Sequence, residues 1–499
     1  MLKMILTSRV YEAAVETPLE ESPSLSALLG NRVLLKREDL QPVFSFKLRG
    51  AYNKIAHLAT EDRAKGVIAA SAGNHAQGVA FAADRLGIEA TIVMPVTTPQ
   101  IKVEAVRKRG AEVVLHGDSY SDAAERCQQI QQQSGKVYIH PFDDDLVIAG
   151  QGTIADEIMR QSRGEIHSVF VPVGGGGLIS GVGSYFKALD PSIRVIGVEP
   201  FDSDAMYRSL EMGKRTHLES VGIFADGVAV RDVGKRTFEF CRNCVDEIIR
   251  VDTDEICSAI RDNYQATRSI VEPAGALALA GLKRYVRSRQ VQGETLVAIN
   301  SGANMNFERL RYVAERTLIG EKQEALFAVS IPETPGALRR FCQEVLAERN
   351  VTEFNYRLSG RQQAHIFVGI AVGGEQGRWD LAQELQELGY TAIDLTDNEL
   401  AKTHIRYMVG GKSVQATQEV LYRFWFPERP GALGRFLETM GANWNISLFH
   451  YRMQGGDYGR VLIGMEIPAR EKEALTAFLA QLGYRYVEET TNPAYPLFL

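Results

Sequence analysis

Ser45-Phe46-Lys47-Leu48-Arg49-Gly50 is the stretch on which the reading of this chain turns. It follows a strand-like run, Arg32 to Glu38, and a loop holding Pro42, and it opens a helical pattern from Leu48 to about Ala59. Lys47 therefore falls at a strand-to-helix junction between a phenylalanine and a leucine. Apolar surroundings disfavour an ammonium ion, lower its pKa and leave a neutral amine able to attack an aldehyde. An isolated Ser-Phe-Lys would be read more simply as a snorkelling surface lysine on a first helical turn. The loops further along the chain decide between the two.

From Arg32 to about Ile299, short β-branched runs alternate with helical periods: Gly66 to Ala70, Ala90 to Met94, Glu112 to Leu115, His167 to Val173, Arg194 to Val198 and Thr295 to Ile299. Near-continuous apolar strands separated by helices of ten or more residues predict a parallel sheet covered on both faces. Such folds place ligands beyond the carboxyl ends of their strands. Three loops there carry chemistry. Ser71-Ala72-Gly73-Asn74-His75-Ala76-Gln77-Gly78 precedes an alanine-rich helix. Ser71 or Asn74 is a candidate cap for it, and both together with Gly73 suit a carboxylate or a ring hydroxyl at the positive helix end. His75 reads as structural. Val173-Gly174-Gly175-Gly176-Gly177-Leu178 lies between a strand and the helix Ile179 to Leu189. Four glycines there can fold several N–H groups around one anion, a phosphate above all. A dinucleotide fingerprint fits poorly, because no acidic residue ends the next strand until Glu199, beside Pro200. Asn300-Ser301-Gly302-Ala303-Asn304 closes the last strand with a hydroxyl that caps a helix or meets a ligand.

A chain of 499 residues, 45% apolar and 24% charged, with mean hydropathy −0.14, is too long for one core, and two or three domains are expected. Net charge −6 without long blocks of one sign gives no support for nucleic-acid binding. No apolar run is long enough to span a membrane, and Met1 to Val10 makes a poor signal peptide, so a cytoplasmic location is expected. Five scattered cysteines read as reduced thiols. Cys241-Arg242-Asn243-Cys244 lacks a second pair or a nearby histidine and makes a poor zinc site; no metal is expected.

An activated-lysine candidate, a carboxylate loop, a glycine phosphate loop and a hydroxyl at a strand end together point to pyridoxal phosphate. These motifs resemble those of the tryptophan-synthase-β-like (fold type II) enzymes that use this cofactor. The surrounding text, Lys36-Arg37-Glu38-Asp39, Val147-Ile148-Ala149-Gly150-Gln151-Gly152-Thr153 and Glu272-Pro273-Ala274-Gly275-Ala276, resembles the threonine dehydratases, from about Arg9 to Leu310. The resemblance implies that Lys47 holds the cofactor and, once released, removes the substrate Cα proton. It implies that Gly174, Gly175, Gly176, Gly177 and the Leu178 amide bind the phosphate, Asn74 the ring 3′-oxygen, and Ser301 the pyridine nitrogen. Ser71, Ala72, Gly73 and Asn74 would take the substrate carboxylate. The implied reaction is loss of water from L-threonine to an enamine that hydrolyses to 2-oxobutanoate and ammonia. Serine, one methyl smaller, would be a poorer substrate rather than an excluded one.

Beyond Asn304 the chain repeats itself. Pro332-Glu333-Thr334-Pro335-Gly336-Ala337-Leu338 recurs as Pro427-Glu428-Arg429-Pro430-Gly431-Ala432-Leu433, and Phe354-Asn355-Tyr356-Arg357 as Phe449-His450-Tyr451-Arg452, both about 95 residues on; Gly369 and Gly464 keep the offset. Each copy reads strand, helix, strand, strand, helix, strand, a ferredoxin-like unit. The expected layout is an α/β catalytic domain over 1–320, repeats over 325–397 and 421–492, and a connector over 398–420 without a counterpart. The repeats resemble the paired ACT-like regulatory domains of biosynthetic threonine dehydratases. By that resemblance isoleucine inhibits, valine opposes it, Tyr356 and Tyr451 are candidate effector contacts, and the chain forms a homotetramer. Serine dehydratase, racemase and threonine synthase readings share Lys47 and its loops, and the duplicated module argues against most of them. A retired enzyme kept as an amino-acid sensor, and a nicotinamide oxidoreductase, remain as readings of other classes.

Overall fold

Parallel pairing of the apolar runs organises the first of two compact units, Met1–Phe307; the second is Glu308–Leu499. The computed structural model describes residues 1–320, 322–332, 337–346, 349, 351–357, 363–407, 418–427, 435–436, 439–440, 444–452 and 458–498. Ten strands lie in the first unit: β1 Leu19–Glu21, β2 Arg32–Arg37, β3 Val67–Ala70, β4 Ala90–Met94, β5 Glu112–Leu115, β6 Val137–Tyr138, β7 Ser168–Pro172, β8 Arg194–Pro200, β9 Glu247–Val251 and β10 Thr295–Asn300. They form a six-stranded sheet of order β1-β2-β10-β7-β8-β9 and a four-stranded sheet of order β5-β4-β3-β6. All pairings are parallel except that of β1 with β2. The predicted runs all become strands. The additions are short or polar edge strands, β1, β6 and β9, whose residues carry too little apolar periodicity to stand out.

Because the strands run parallel, their carboxyl ends point one way, and the helices that follow begin there. The helices Lys47–Ala56, Asp145–Gln161 and Gly177–Leu189 pack almost backbone to backbone. A Cβ added at Gly150 would lie 2.7 Å from the Arg49 carbonyl oxygen, and one at Gly181 would lie 2.4 Å from that of Ile148. Bare backbone at these positions draws the lysine helix and the glycine-loop helix together across Asp145–Gln161. The capping expected of Ser71 or Asn74 does not occur. Gly73 occupies the N-cap position of the helix Asn74–Leu86 without any side-chain bond, and the Ser71 hydroxyl instead accepts from the Gly73 N–H at 3.2 Å.

The second unit contains two four-stranded antiparallel sheets. The first has order β12-β13-β11-β14, from β11 Glu324–Pro332, β12 Val351–Arg357, β13 Gln363–Ala371 and β14 Thr391–Asp394. The other has order β16-β17-β15-β18, from β15 Glu419–Pro427, β16 Asn445–Arg452, β17 Tyr458–Glu466 and β18 Arg485–Glu488. Both have the strand order of the ferredoxin-like unit. The register repeats as well: Leu326 faces Gly369 in one sheet and Leu421 faces Gly464 in the other. A register shift between Val351 and Glu353 recurs between Ile446 and Leu448, so even the irregularity is duplicated. The segment after β14 does have a counterpart, contrary to expectation. Asn398 leads into the helix Glu399–Thr403 as Asn492 leads into the helix Tyr495–Phe498. Thr396 and Thr490 accept from the Leu326 and Leu421 amides in the same way, at 3.0 and 3.1 Å. The repeated Pro-Gly turns, residues 333–336 and 428–432, and the side chains of Tyr356 and Tyr451 lie outside the described residues.

Candidate active site

Lys47 is the first residue of its helix and follows Phe46 at the N-cap position. The segment before it is stitched to the loop after β10 by backbone hydrogen bonds: the Phe46 N–H to the Ser301 carbonyl (3.2 Å) and the Ala303 N–H to the Phe44 carbonyl (2.9 Å). The Glu272 N–H donates to the Gly302 carbonyl (3.1 Å), which brings the start of the helix Pro273–Arg289 to the same place. Strands far apart in sequence thus deliver their loops to one cleft, lined by Lys47, Asn74, Gly174 to Gly177, Leu178 and Ser301. Ser71, Ala72 and Gly73 stay on the half-buried approach to Asn74 and do not line it.

The Lys47 amine donates to the Pro141 carbonyl at 3.0 Å and lies 5.3 Å from the Phe46 ring centroid. Burial pushes its pKa down from 10.5 to about 8, with the Glu272 carboxylate acting in the opposite direction. Asn74 is oriented from both sides. Its Nδ2 donates to Glu272 Oε1 at 2.5 Å, and its Oδ1 accepts from Asn304 Nδ2 at 2.7 Å. Asn304 Nδ2 also donates to the Val43 carbonyl at 2.8 Å, so the amide direction follows from the network. His75 is buried and sits against the Ile139 carbonyl at 2.7 Å. Burial and the nearby Lys47 amine hold its pKa down to about 3, so it is a neutral structural donor.

The glycine loop enters the helix Gly177–Leu189, with Gly176 in the left-handed region at φ 95°. A Cβ on Gly175 would sit 2.3 Å from the Phe142 ring, and one on Gly174 2.9 Å from the Val228 backbone. The loop is a cradle that only glycine fits, at the positive end of a helix dipole. Cys241 and Cys244 are buried; burial pushes both thiols up, that of Cys244 to about 12, so they act as packing groups.

Phe142, Glu272 and Val228 also line the cleft; of these only Glu272 falls in a motif, Glu272-Pro273-Ala274-Gly275-Ala276, and no role in the cleft follows from that motif. Only the proline after Glu272, at the first position of its helix, marks a junction there. An amine with a lowered pKa, a glycine anion cradle and a neutral hydroxyl lining one cleft are the donor set that a phosphate-bearing pyridine aldehyde requires. The residues present fit pyridoxal phosphate.

Comparison with known proteins gives the same answer. Residues 10–302 match the family of pyridoxal-phosphate dependent enzymes, and residues 315–405 and 410–499 each match the C-terminal regulatory domain of threonine dehydratase. The L-threonine dehydratase biosynthetic IlvA of Burkholderia multivorans is 57% identical over 501 residues, covering 100% of this chain and 99% of the relative. The corresponding IlvA of Escherichia coli is 51% identical over 499 residues, covering 100% of this chain and 96% of the relative. Among solved structures, the processed form of threonine deaminase isoform 2 from Solanum lycopersicum is 51% identical with a TM-score of 0.62, over 63% of this chain and 86% of that one. The chain belongs to the biosynthetic threonine dehydratases, pyridoxal-phosphate dependent enzymes of fold type II that carry a duplicated C-terminal regulatory domain.

Proposed function

We propose that this chain converts L-threonine to 2-oxobutanoate and ammonia, under inhibition by isoleucine that valine opposes. One observation carries the first half: Lys47, Asn74, the four glycines and Ser301 converge on a single cleft with the amine tuned to about 8. When bound, pyridoxal phosphate supplies an aldehyde for the substrate amine and a sink for the electron pair left at Cα. Lys47, as the neutral amine, would take the Cα proton. Gly174 to Gly177 and the Leu178 amide would hold the phosphate, and Asn74 would donate to the ring 3′-oxygen. Ser301 meets the pyridine nitrogen with a group that does not force a proton onto it, which favours elimination over transamination. The loop Ser71 to Asn74 takes the substrate carboxylate. The β-hydroxyl leaves as water, and water then displaces ammonia from the resulting enamine, so the overall change is threonine to 2-oxobutanoate and ammonia. Serine reacts more slowly, for want of one methyl contact worth about 1–3 kcal/mol.

The second half rests on the two regulatory-domain matches and on a product one route away from branched-chain amino acids. The proposed domains are 1–320 for catalysis and 325–397 and 421–492 for the repeats, with the helix Glu399–Thr403 belonging to the first repeat and only the rest of 398–420 connecting the two. Tyr356 and Tyr451 are the proposed effector contacts, in a cytoplasmic homotetramer. Among the described residues no helix is long and apolar enough to cross a membrane.

The test is 2-oxobutanoate production from threonine with and without isoleucine and valine. Sigmoid kinetics in isoleucine, relieved by valine, are expected; indifference to both would remove the regulatory assignment. Lys47→Ala should reduce turnover by at least about 10³-fold while isoleucine binding, followed by calorimetry, persists. A Lys47→Ala enzyme that still deaminates threonine would end the catalytic assignment.

A further inference from the structure

The orientation of the glycine cradle depends on a residue outside every motif. Thr237, fully buried in the first turn of the helix Lys235–Cys244, donates its hydroxyl to the Gly175 carbonyl at 2.6 Å. The Gly234 N–H approaches the same oxygen at 3.4 Å. The described peptide bonds are all trans, and a trans peptide sets its carbonyl and its N–H on opposite edges of one plane. Drawing the Gly175 carbonyl back towards Thr237 therefore turns the Gly176 N–H forward. Forward is the cleft, which Gly174 to Gly177 line and Thr237 does not.

Thr237 is itself held. Asp143 Oδ1 accepts from the Arg236 and Thr237 amides at 2.9 and 3.2 Å, and its Oδ2 from the Lys235 amide at 3.0 Å. The neighbours of Asp143 reach the rest of the site: Pro141 offers its carbonyl to the Lys47 amine, and the Phe142 ring closes against Gly175. One short segment, Pro141 to Asp143, thereby touches the Lys47 amine, the glycine loop and the start of the Thr237 helix. We propose that Thr237, anchored by Asp143, is a positioning residue that fixes the Gly175–Gly176 peptide so that it donates to the phosphate monoester of the cofactor. This rests on the reading of Gly174 to Gly177 as the phosphate site.

The test uses the full-length chain stripped of cofactor and titrated separately with pyridoxal phosphate and with pyridoxal, which lacks the phosphate. Thr237→Val keeps the volume and removes the hydroxyl. It should weaken pyridoxal phosphate about ten- to hundredfold, the value of one hydrogen bond to a charged group, and leave pyridoxal unchanged. Thr237→Ser should restore the phosphate preference. Asp143→Asn, which loosens the tether without touching the hydroxyl, should act in the same direction and decides the matter if Thr237→Val does not fold. Unchanged binding of pyridoxal phosphate in these variants, or equal weakening of both ligands, overturns the assignment of Thr237. A wild-type chain that binds pyridoxal as tightly as pyridoxal phosphate overturns instead the phosphate reading of the glycine loop.

Discussion

Lys47 is a cation placed where a cation is disfavoured, and the two influences on it pull in opposite directions. Burial lowers its pKa to about 8, while Glu272 opposes that shift. Only the neutral amine attacks an aldehyde, and its fraction grows as pH rises through the pKa. In cofactor-free protein the rate at which pyridoxal phosphate attaches to Lys47 should climb with pH to a plateau, with a midpoint near 8 rather than 10.5. Glu272→Gln removes the opposing carboxylate and should move that midpoint downward. Stopped-flow absorbance across a pH series measures both, and an upward move on substitution would contradict the electrostatic account. The same substitution exchanges the charged acceptor of the Asn74 amide, at 2.5 Å, for a neutral amide oxygen, so a weakening of cofactor affinity should accompany the shift.

The helix that begins at Lys47 is fastened two residues later by a buried ionic cluster. Arg49 bridges Glu38, at 2.7 Å, and Glu157, at 2.5 Å, and Lys36 meets Glu157 at 2.6 Å; all four side chains are fully buried. The two positive and two negative charges cancel. Burial alone would raise the Glu157 carboxyl, but Arg49 and Lys36 outweigh it and hold the pKa below the usual range. Removing one member of such a cluster leaves a charge without its partner in a low dielectric. Arg49→Met should therefore cost about 3–5 kcal/mol, visible as a lowered denaturation midpoint of the first unit. It should also loosen the helix start on which Lys47 is mounted. A stability within about 1 kcal/mol of wild type would show that the cluster relaxes more readily than its packing indicates.

Across the whole chain the two repeats face each other with equivalent residues. Leu326 and Leu421, Phe367 and Leu462, each pair 95 apart, share one buried cluster, and Asn398 donates to Asn492 at 3.3 Å. The duplication is thus a local two-fold arrangement within one unit. Glu399 breaks its symmetry. Its carboxylate meets Arg316 of the helix Arg309–Gly320 at 2.7 Å and Arg460 of β17, so it joins the helix preceding the first repeat to the second repeat. Burial would raise the Glu399 carboxyl, yet Arg316 and Arg460 hold it well below the usual range. If the proposed isoleucine inhibition holds, Glu399→Gln should leave turnover without isoleucine unchanged and shift the inhibition curve to higher concentration. Coupling is reciprocal, so threonine should then weaken isoleucine binding less than it does in wild type. An inhibition curve that superimposes on the wild-type one would remove Glu399 from the coupling.

What could be read from the chain was whatever is written in consecutive residues: parallel strands as apolar runs, the glycine cradle as four glycines between strand and helix, the activated lysine within Ser-Phe-Lys, and the regulatory duplication as a shared offset. These follow from backbone freedom, periodicity and repetition, all of which show in the linear order of residues without any tertiary contact. The supporting cast was not legible, because its partners lie far away in sequence: Pro141 is 94 residues from Lys47, Thr237 is 62 from Gly175, and Glu272 is 198 from Asn74. Nothing in the string Lys36-Arg37-Glu38-Asp39 itself marks which charges are buried, yet folding places Lys36 and Glu38 in the buried cluster around Arg49 and Glu157. A charge, a hydroxyl or a carbonyl acquires its role from the group it meets, and only the convergence of strand ends in three dimensions decides which group that is.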